Sequence, residues 1–293
     1  MFEVSRLGSS PDASKSFPWP VRLFLAALVA LPLLAIPRAQ AQPSSGAVAG
    51  RDPVPAVDLR PLFEQWGLGP NLQGDRPTCS TFTVAGALEF AVAKRQGQSP
   101  RLSVEFLNWA ANRACGDKED GGFFSDLWKG FAEYGICTAQ DWPYQPAFNS
   151  SNPPPPSAMA DAKSRMGLGL RLNWIKEWNV NTGLTDAHLV SIKQTLANGW
   201  VVCGGFRWPK QERWIEDVLQ MCPPDAVRDG HSVLLVGYRD DTAQPGGGIF
   251  IFRNSTNGGR DGLMPYAYSQ AYMNDAAWID YPARSTKELD AKR

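Results

Sequence analysis

The chain has 293 residues, 43% hydrophobic and 20% charged, which is the balance of a globular protein and excludes a disordered one. Its 29 basic and 29 acidic side chains cancel, and no clustered basic stretch offers the electrostatic footprint of a nucleic-acid binder. The length allows one large domain or two small ones.

Arg6, Lys15 and Arg22 precede the apolar stretch Leu23 to Ile36, and Ala39-Gln40-Ala41 supplies a small-x-small cleavage site. Residues 1–41 are therefore expected to be a signal peptide, directing a secreted or periplasmic protein with no stable membrane insertion after cleavage. The apolar stretch is short for a bilayer span, although the long preceding segment leaves an uncleaved anchor as the alternative. Four of the 29 basic and two of the 29 acidic residues lie before residue 42, leaving 25 against 27 in the remainder.

Residues 42–56, rich in Ser, Gly, Ala and Pro, read as a flexible leader, and Val57-Asp58-Leu59-Arg60 opens the folded part. Gln73 to Phe82 is a turn-rich loop that delivers Cys79 to the start of a helix. From Val84 the apolar positions Ala85, Leu88, Ala91 and Val92 mark one buried face. Lys94, Arg95 and then Gly97 end it. At that helix start the free N–H groups and the macrodipole are expected to lower the Cys79 pKa. Val104 to Ala114 is a second helix, with Ser103 as N-cap and Leu102 stapling onto Leu107. Phe124 to Tyr134 is a third, closed by Gly135.

Trp142-Pro143-Tyr144 and Pro153 to Pro156 argue against regular structure, and the proline run reads as a surface loop. Asp186 to Asn198 is a helix stopped by Gly199, followed by a short strand Trp200 to Cys203. Two strong strands, Ser232 to Tyr238 and Ile249 to Arg253, form a hairpin through the polar, glycine-rich residues between them. Residues 285–293 are expected to be a disordered tail.

All five cysteines, Cys79, Cys115, Cys137, Cys203 and Cys222, lie after the signal. An exported protein with an odd count keeps one cysteine free or paired with another chain. Four cysteines allow three pairings. The expected one is Cys115–Cys137 with Cys203–Cys222, each bracketing a loop-rich stretch, which leaves Cys79 free.

The hairpin supplies the chemistry. If positions summing to 485 face each other, Tyr238 meets Gly247 and His231 meets Asn254 at one sheet edge. A histidine beside an amide carbonyl is what a thiol nucleophile needs, since the imidazole takes the sulfur proton and the amide fixes its ring. The second histidine, His188, lies within a helix with no catalytic partner and is expected to be structural.

With these residues in place, the chain resembles the papain-family cysteine peptidases in four stretches: Gln73 to Phe82, Asp120 to Tyr144, Gly230 to Tyr238 and Phe250 to Ser255. The resemblance runs from about Asp58 to Tyr281. His231 and Asn254 lie 152 and 175 residues after Cys79, beyond the usual range and compatible with insertions. It implies an α+β, papain-like two-lobed fold, with a helical lobe at 57–170, an antiparallel β-sheet or barrel lobe at 171–284, and a substrate cleft between them.

The resemblance also implies roles. Cys79 would be the nucleophile, His231 the general base and acid, and Asn254 the orienting amide. Gln73, with the Cys79 backbone N–H, would form the oxyanion hole. Gly121 and Gly122 would bond an extended substrate, and Phe123 or Phe124 would line the pocket for its second residue, with an apolar preference. The implied reaction is peptide hydrolysis through an acyl-thioester, by a monomer acting on a peptide or protein, with no cofactor and no metal. Three positions depart from the pattern. Ser80 replaces an aromatic residue, Thr256 replaces a tryptophan that shields the His–Asn bond, and Arg76-Pro77-Thr78 fills the place of a cysteine. A non-catalytic binding protein, or an amidase or transpeptidase on the same triad, are the alternatives these departures leave open.

Overall fold

In the computed structural model the described residues are 54–256 and 258–281. The expected signal segment, most of the leader and the tail from residue 285 lie outside them. The last leader residues are already part of the sheet. Strand β1 (Ala56–Asp58) pairs with Gly237–Arg239, and the Pro55 carbonyl accepts from the Asp240 N–H at 2.8 Å.

Four helices follow: α1 (Arg60–Gln65), α2 (Cys79–Gln96), α3 (Val104–Cys115) and α4 (Phe124–Tyr134). They start and stop where their chemistry dictates. Gly97 ends α2 in the left-handed conformation, and the Ser103 hydroxyl accepts from the Phe106 N–H at the head of α3. Helix α2 departs from the expected single buried face. It is buried almost all round from Cys79 to Ala93, because α3 and α4 cover one side and the sheet covers the other. Small residues make this possible, since a Cβ on Gly86 would come within 3.2 Å of Leu234. Buried Glu89 is satisfied by the Leu102 N–H at 2.8 Å and by Arg101 at 3.2 Å.

The proline run is not wholly a loop. Its last member opens α5 (Pro156–Ser164), since the first helical position needs no N–H donor and suits the fixed φ of proline. The β-rich part then comprises β2 (Arg171–Lys176), α6 (Asp186–Ala197), β3 (Val202–Pro209), β4 (Trp214–Ile215), β5 (Val218–Leu219), β6 (Val227–Asp240), β7 (Gly248–Arg253), β8 (Asp261–Pro265), α7 (Tyr266–Tyr272) and β9 (Met273–Asp280). The strands make one open sheet in the order β2-β9-β3-β6-β7-β8-β5-β4, with β1 on β6. Every pairing is antiparallel except β5 with β8. His188 closes a capping box with Thr185 at the start of α6.

Two sequence expectations are corrected. The β6–β7 hairpin does not follow the 485 register. Tyr238 faces Phe250, and after a bulge between Leu235 and Gly237, Leu235 faces Phe252. Both strands run further than the polar residues suggested, to Asp240 and from Gly248, with the reversal made by Gly246 and Gly247 at positive φ. The second correction concerns the disulfides: all five cysteines are free. Cys203 lies in the middle of the sheet with its Sγ 3.8 Å from the Thr83 carbonyl, while Cys222 is half-buried in the loop after β5. Cys137 is sealed in a small core with Phe106 and Trp142, whereas Cys115 is exposed at the end of α3. No helix among the described residues is long and apolar enough to cross a membrane.

Candidate active site

The N-terminus of α2 meets the middle of β6 at one pocket. Cys79, the first residue of α2, lines it from the helical side together with Gly122, Phe123 and Phe124. His231, Ser232 and Phe206 line it from the sheet. The Cys79 Sγ lies 3.9 Å from the Gly230 carbonyl, against the backbone that flanks His231.

Behind the pocket, His231 Nε2 and Asn254 Oδ1 are 3.0 Å apart and both residues are buried. The neighbours settle the proton. Asn254 Oδ1 also accepts from the Thr256 N–H at 3.2 Å and the Thr256 hydroxyl at 3.0 Å. A backbone N–H can only donate, so the atom facing it is oxygen. Neutral His231 therefore carries its proton on Nε2, which leaves the Nδ1 lone pair as the available base. Trp208 from β3 packs edge-on against the imidazole at 4.5 Å. The sequence marks Thr256 only as a departure from the family pattern and gives no sign of Trp208. Thr256 in the expected tryptophan's place holds the amide, and a tryptophan from a distant strand packs on the ring.

Gln73 sits in the loop before α2, buried, with its side-chain amide oriented by two contacts and its backbone held by a third. Its Oε1 accepts from the Ser255 hydroxyl at 2.7 Å, its Nε2 donates to the Arg76 carbonyl at 2.7 Å, and its N–H donates to the Ser255 carbonyl at 3.0 Å. The amide nitrogen has a second proton to offer. Ser255 thereby joins this loop to the residue beside Asn254.

The two glycines differ in what they do. Gly121 is buried at φ +94°, and a Cβ there would fall 2.4 Å from the Pro77 carbonyl oxygen. Its N–H is used by Asn108 Oδ1 at 2.8 Å. Gly121 thus shapes the loop and does not line the pocket. Gly122 does line it, with its N–H 3.2 Å from the Ser80 hydroxyl. That bond explains how the small Ser80 is accommodated where the resemblance expects an aromatic ring. Phe123 is exposed and packs against Trp178 across the pocket mouth, ring centroids 5.3 Å apart, whereas Phe124 is buried.

Arg76 was noted in the sequence only as a departure, yet it holds the helical side together. Its guanidinium bonds Asp120 through two nitrogens at 2.8 and 2.9 Å, Glu105 at 2.5 Å and the Gln145 carbonyl at 2.8 Å. It also stacks over Tyr144 at 4.4 Å. Burial works against its charge, but the bonds to Asp120 and Glu105 outweigh that and raise its pKa.

The electrostatics depart from the expectation of a lowered thiol pKa. Burial pushes the Cys79 thiol up, opposed by hydrogen bonds from Ser232 and the Ser80 backbone. Burial likewise pushes His231 down to about 4, opposed by its bond to Asn254. The resting pair is therefore a neutral thiol and a neutral imidazole. One consequence is measurable. Below the ordinary histidine pKa of about 6.5 an unfolded chain takes a proton that the folded one refuses. Stability is therefore expected to fall between about pH 6.5 and pH 4, by about 3 kcal/mol from this group. Urea unfolding at pH 7 and pH 4.5, beside His231→Gln, checks it, and parallel curves for the two proteins would refute a neutral buried imidazole.

No protein-family model matches the sequence. Among solved structures, the chain is similar to xylellain, a cysteine protease from Xylella fastidiosa, at 24% identity over 78% of this chain and 87% of that one, TM-score 0.60. It is similar to the proform of the ragweed pollen cysteine protease Amb a 11, at 17% identity over 81% and 69%, TM-score 0.59. It is also similar to the digestive procathepsin L 3 of Tenebrio molitor larval midgut, at 18% identity over 79% and 71%, TM-score 0.55. An open, mostly antiparallel sheet packed on a buried helix that begins with a cysteine, together with these likenesses, gives this chain the two-lobed fold of the papain-like cysteine proteases.

Proposed function

We propose that the protein is a cysteine peptidase that cleaves peptide or protein substrates through an acyl-thioester on Cys79. The observation that carries the reading is the 3.0 Å pairing of His231 Nε2 with Asn254 Oδ1 behind a pocket that Cys79 and His231 both line. As Cys79 Sγ attacks the substrate carbonyl carbon, its proton passes to His231 Nδ1. The oxyanion is received by the Cys79 backbone N–H and Gln73 Nε2. Collapse breaks the C–N bond, and His231 returns the proton to the leaving amine. A water that gives its proton to His231 then attacks the thioester, and the proton returns to sulfur as the acid is released. Charge separation happens only during attack, consistent with the neutral resting pair.

Residues 57–170 would form the helical lobe and 171–284 the β-rich lobe, with β1 crossing from the first to the sheet of the second. The reading includes export, to the periplasm or the outside, after removal of residues 1–41. Hydrolysis of a mixed fluorogenic peptide library under mild reductant tests it. Wild type is expected to turn over and Cys79→Ala to show none, and equal rates in both would refute the assignment.

A second reading is favoured by the same burial that keeps thiol and imidazole uncharged: a cleft-bearing binding protein without turnover. It differs in one observable, since a peptide electrophile should alkylate Cys79 selectively in a peptidase and not in a binding module. An amidase or transpeptidase on the same residues would instead show itself by transfer of the acyl group to an added amine.

A further inference from the structure

We propose that the pocket beside Cys79 selects a basic side chain of the substrate, lysine or arginine, whose cationic end is received by Asp275 and Asn274. The assignment rests on the peptidase reading above and names its substrate class.

The mouth of the pocket is aromatic on both sides, with Phe123 from the helical lobe and Trp178 from the β-rich lobe, and Phe124 and Phe206 lie deeper. Its inner end is different. There β9 presents Asn274 and Asp275, each 5% exposed. Asn274 Oδ1 is buried without a hydrogen-bond partner. The one charge acting on the Asp275 carboxylate among the described residues is that of Lys176. Opposite it on β3 stands Gly205, where a Cβ would fall 2.0 Å from Asp275 Oδ1, so the absence of a side chain makes the room the carboxylate occupies. The cation facing it is Lys176, whose Nζ is bound to the backbone carbonyls of Asn274 and Asn179.

The end of the pocket thus holds one buried acceptor without a donor, Asn274 Oδ1, beside the Asp275 carboxylate, behind walls suited to a hydrocarbon stem. Buried acceptors in that state are costly, and a donor that reaches them recovers the cost. A lysine or arginine does both things. Its methylenes pass the rings of Phe123 and Trp178 and lie along Phe124 and Phe206, and its N–H groups reach Asp275 and Asn274. An apolar side chain would leave Asn274 Oδ1 unpaired and the carboxylate without a hydrogen-bond donor from the substrate, and an acidic one would meet like charge. The apolar preference expected from the sequence is replaced accordingly.

The test is a fluorogenic series X–Ala–aminocoumarin with X as Arg, Lys, norleucine or Glu. Wild type is expected to show kcat/KM about tenfold or more higher for Arg and Lys than for norleucine. Asp275→Asn is expected to bring Arg and norleucine within about threefold, through a fall in the Arg value. Asn274→Ala should move the ratio the same way. Burial pushes the Asp275 carboxyl up to about 6, so Asp275→Asn, freed of a carboxylate ionised at a cost, should melt no lower than wild type at neutral pH. A norleucine preference in wild type, or an unchanged ratio in Asp275→Asn, overturns the assignment and leaves the peptidase reading standing. If nothing in the series is cleaved and no electrophile labels Cys79, the peptidase reading fails. Selectivity is then read by calorimetric titration of Cys79→Ala with acetyl-Arg-Ala-amide and acetyl-norleucine-Ala-amide. Tighter binding of the arginine peptide supports the pocket assignment, and equal affinities or no binding overturn it.

Discussion

His231→Ala is expected to lower peptide kcat/KM by about a thousandfold or more, and the double variant Cys79→Ala/His231→Ala to fall no further than Cys79→Ala alone. The first expectation follows from the thiol. Burial raises the Cys79 pKa, so almost no thiolate is present without a base to take the proton, and sulfur attacks only as that proton leaves. The second follows from shared work: once either partner is gone, the other has nothing to act on. Asn254 enters through His231. Its oxygen, held by two bonds from Thr256, keeps the proton on Nε2 and the lone pair on Nδ1. Rates for wild type and the three variants on one substrate, with Cys79 alkylation rates beside them, test the unit. His231→Ala within tenfold of wild type, or double-variant losses that simply add, would count against it.

The second large effect is structural. Arg76→Met is expected to destabilise the protein by about 3–5 kcal/mol, because it strands Glu105 and Asp120 as buried, unpaired charges. Arg76, Glu105 and Asp120 are all nearly sealed from solvent, with ion-pair distances of 2.5 and 2.8 Å. The triple variant Arg76→Met/Glu105→Gln/Asp120→Asn removes the stranded charges and should recover most of that loss in urea unfolding. It should not recover activity. Arg76 anchors two loops at once: its carbonyl accepts from Gln73 Nε2, and its side chain holds Asp120, which leads into Gly121 and Gly122. A triple variant with wild-type stability and wild-type kcat/KM would show the clamp to be irrelevant to the site. Where the resemblance expects a cysteine ahead of the nucleophile, this chain thus uses an ionic tie.

Much of the architecture could be read from local chemistry. The head of α3 was legible in Ser103, the tail of α2 in Gly97, and both ends of α4 in its apolar spacing and Gly135. Those signals act within a turn or two of chain, where sequence neighbours are spatial neighbours. The strands after residue 257 carried no comparable signal. β8 and β9 are defined by their partners β7 and β3, which lie elsewhere in the sequence. The hairpin register was misjudged because a bulge between Leu235 and Gly237 and a compact glycine turn decide it, and neither is visible in hydrophobic alternation. His231 and Asn254 still met, since both lie at the same end of the hairpin.

The disulfides failed for a related reason. A count of five cysteines constrains arithmetic, whereas a bridge requires two Cβ atoms within a few ångströms, and the fold sends Cys203 to the centre of the sheet and Cys115 to a surface helix end. The sequence alone determined the helices α2, α3, α4 and α6, the thiol at a helix start, the histidine and amide at the end of a hairpin, and the resemblance that joins them. Tertiary structure alone decided the rest. Trp208 packs on His231 and Thr256 holds Asn254, Arg76 ties three segments together, and Asp275 sits in the pocket because Gly205 faces it. Apart from the local turn that brings Thr256 onto Asn254, each of these is a contact between residues far apart in the chain or a burial set by such contacts. No local pattern encodes which distant side chain will remove a group from water.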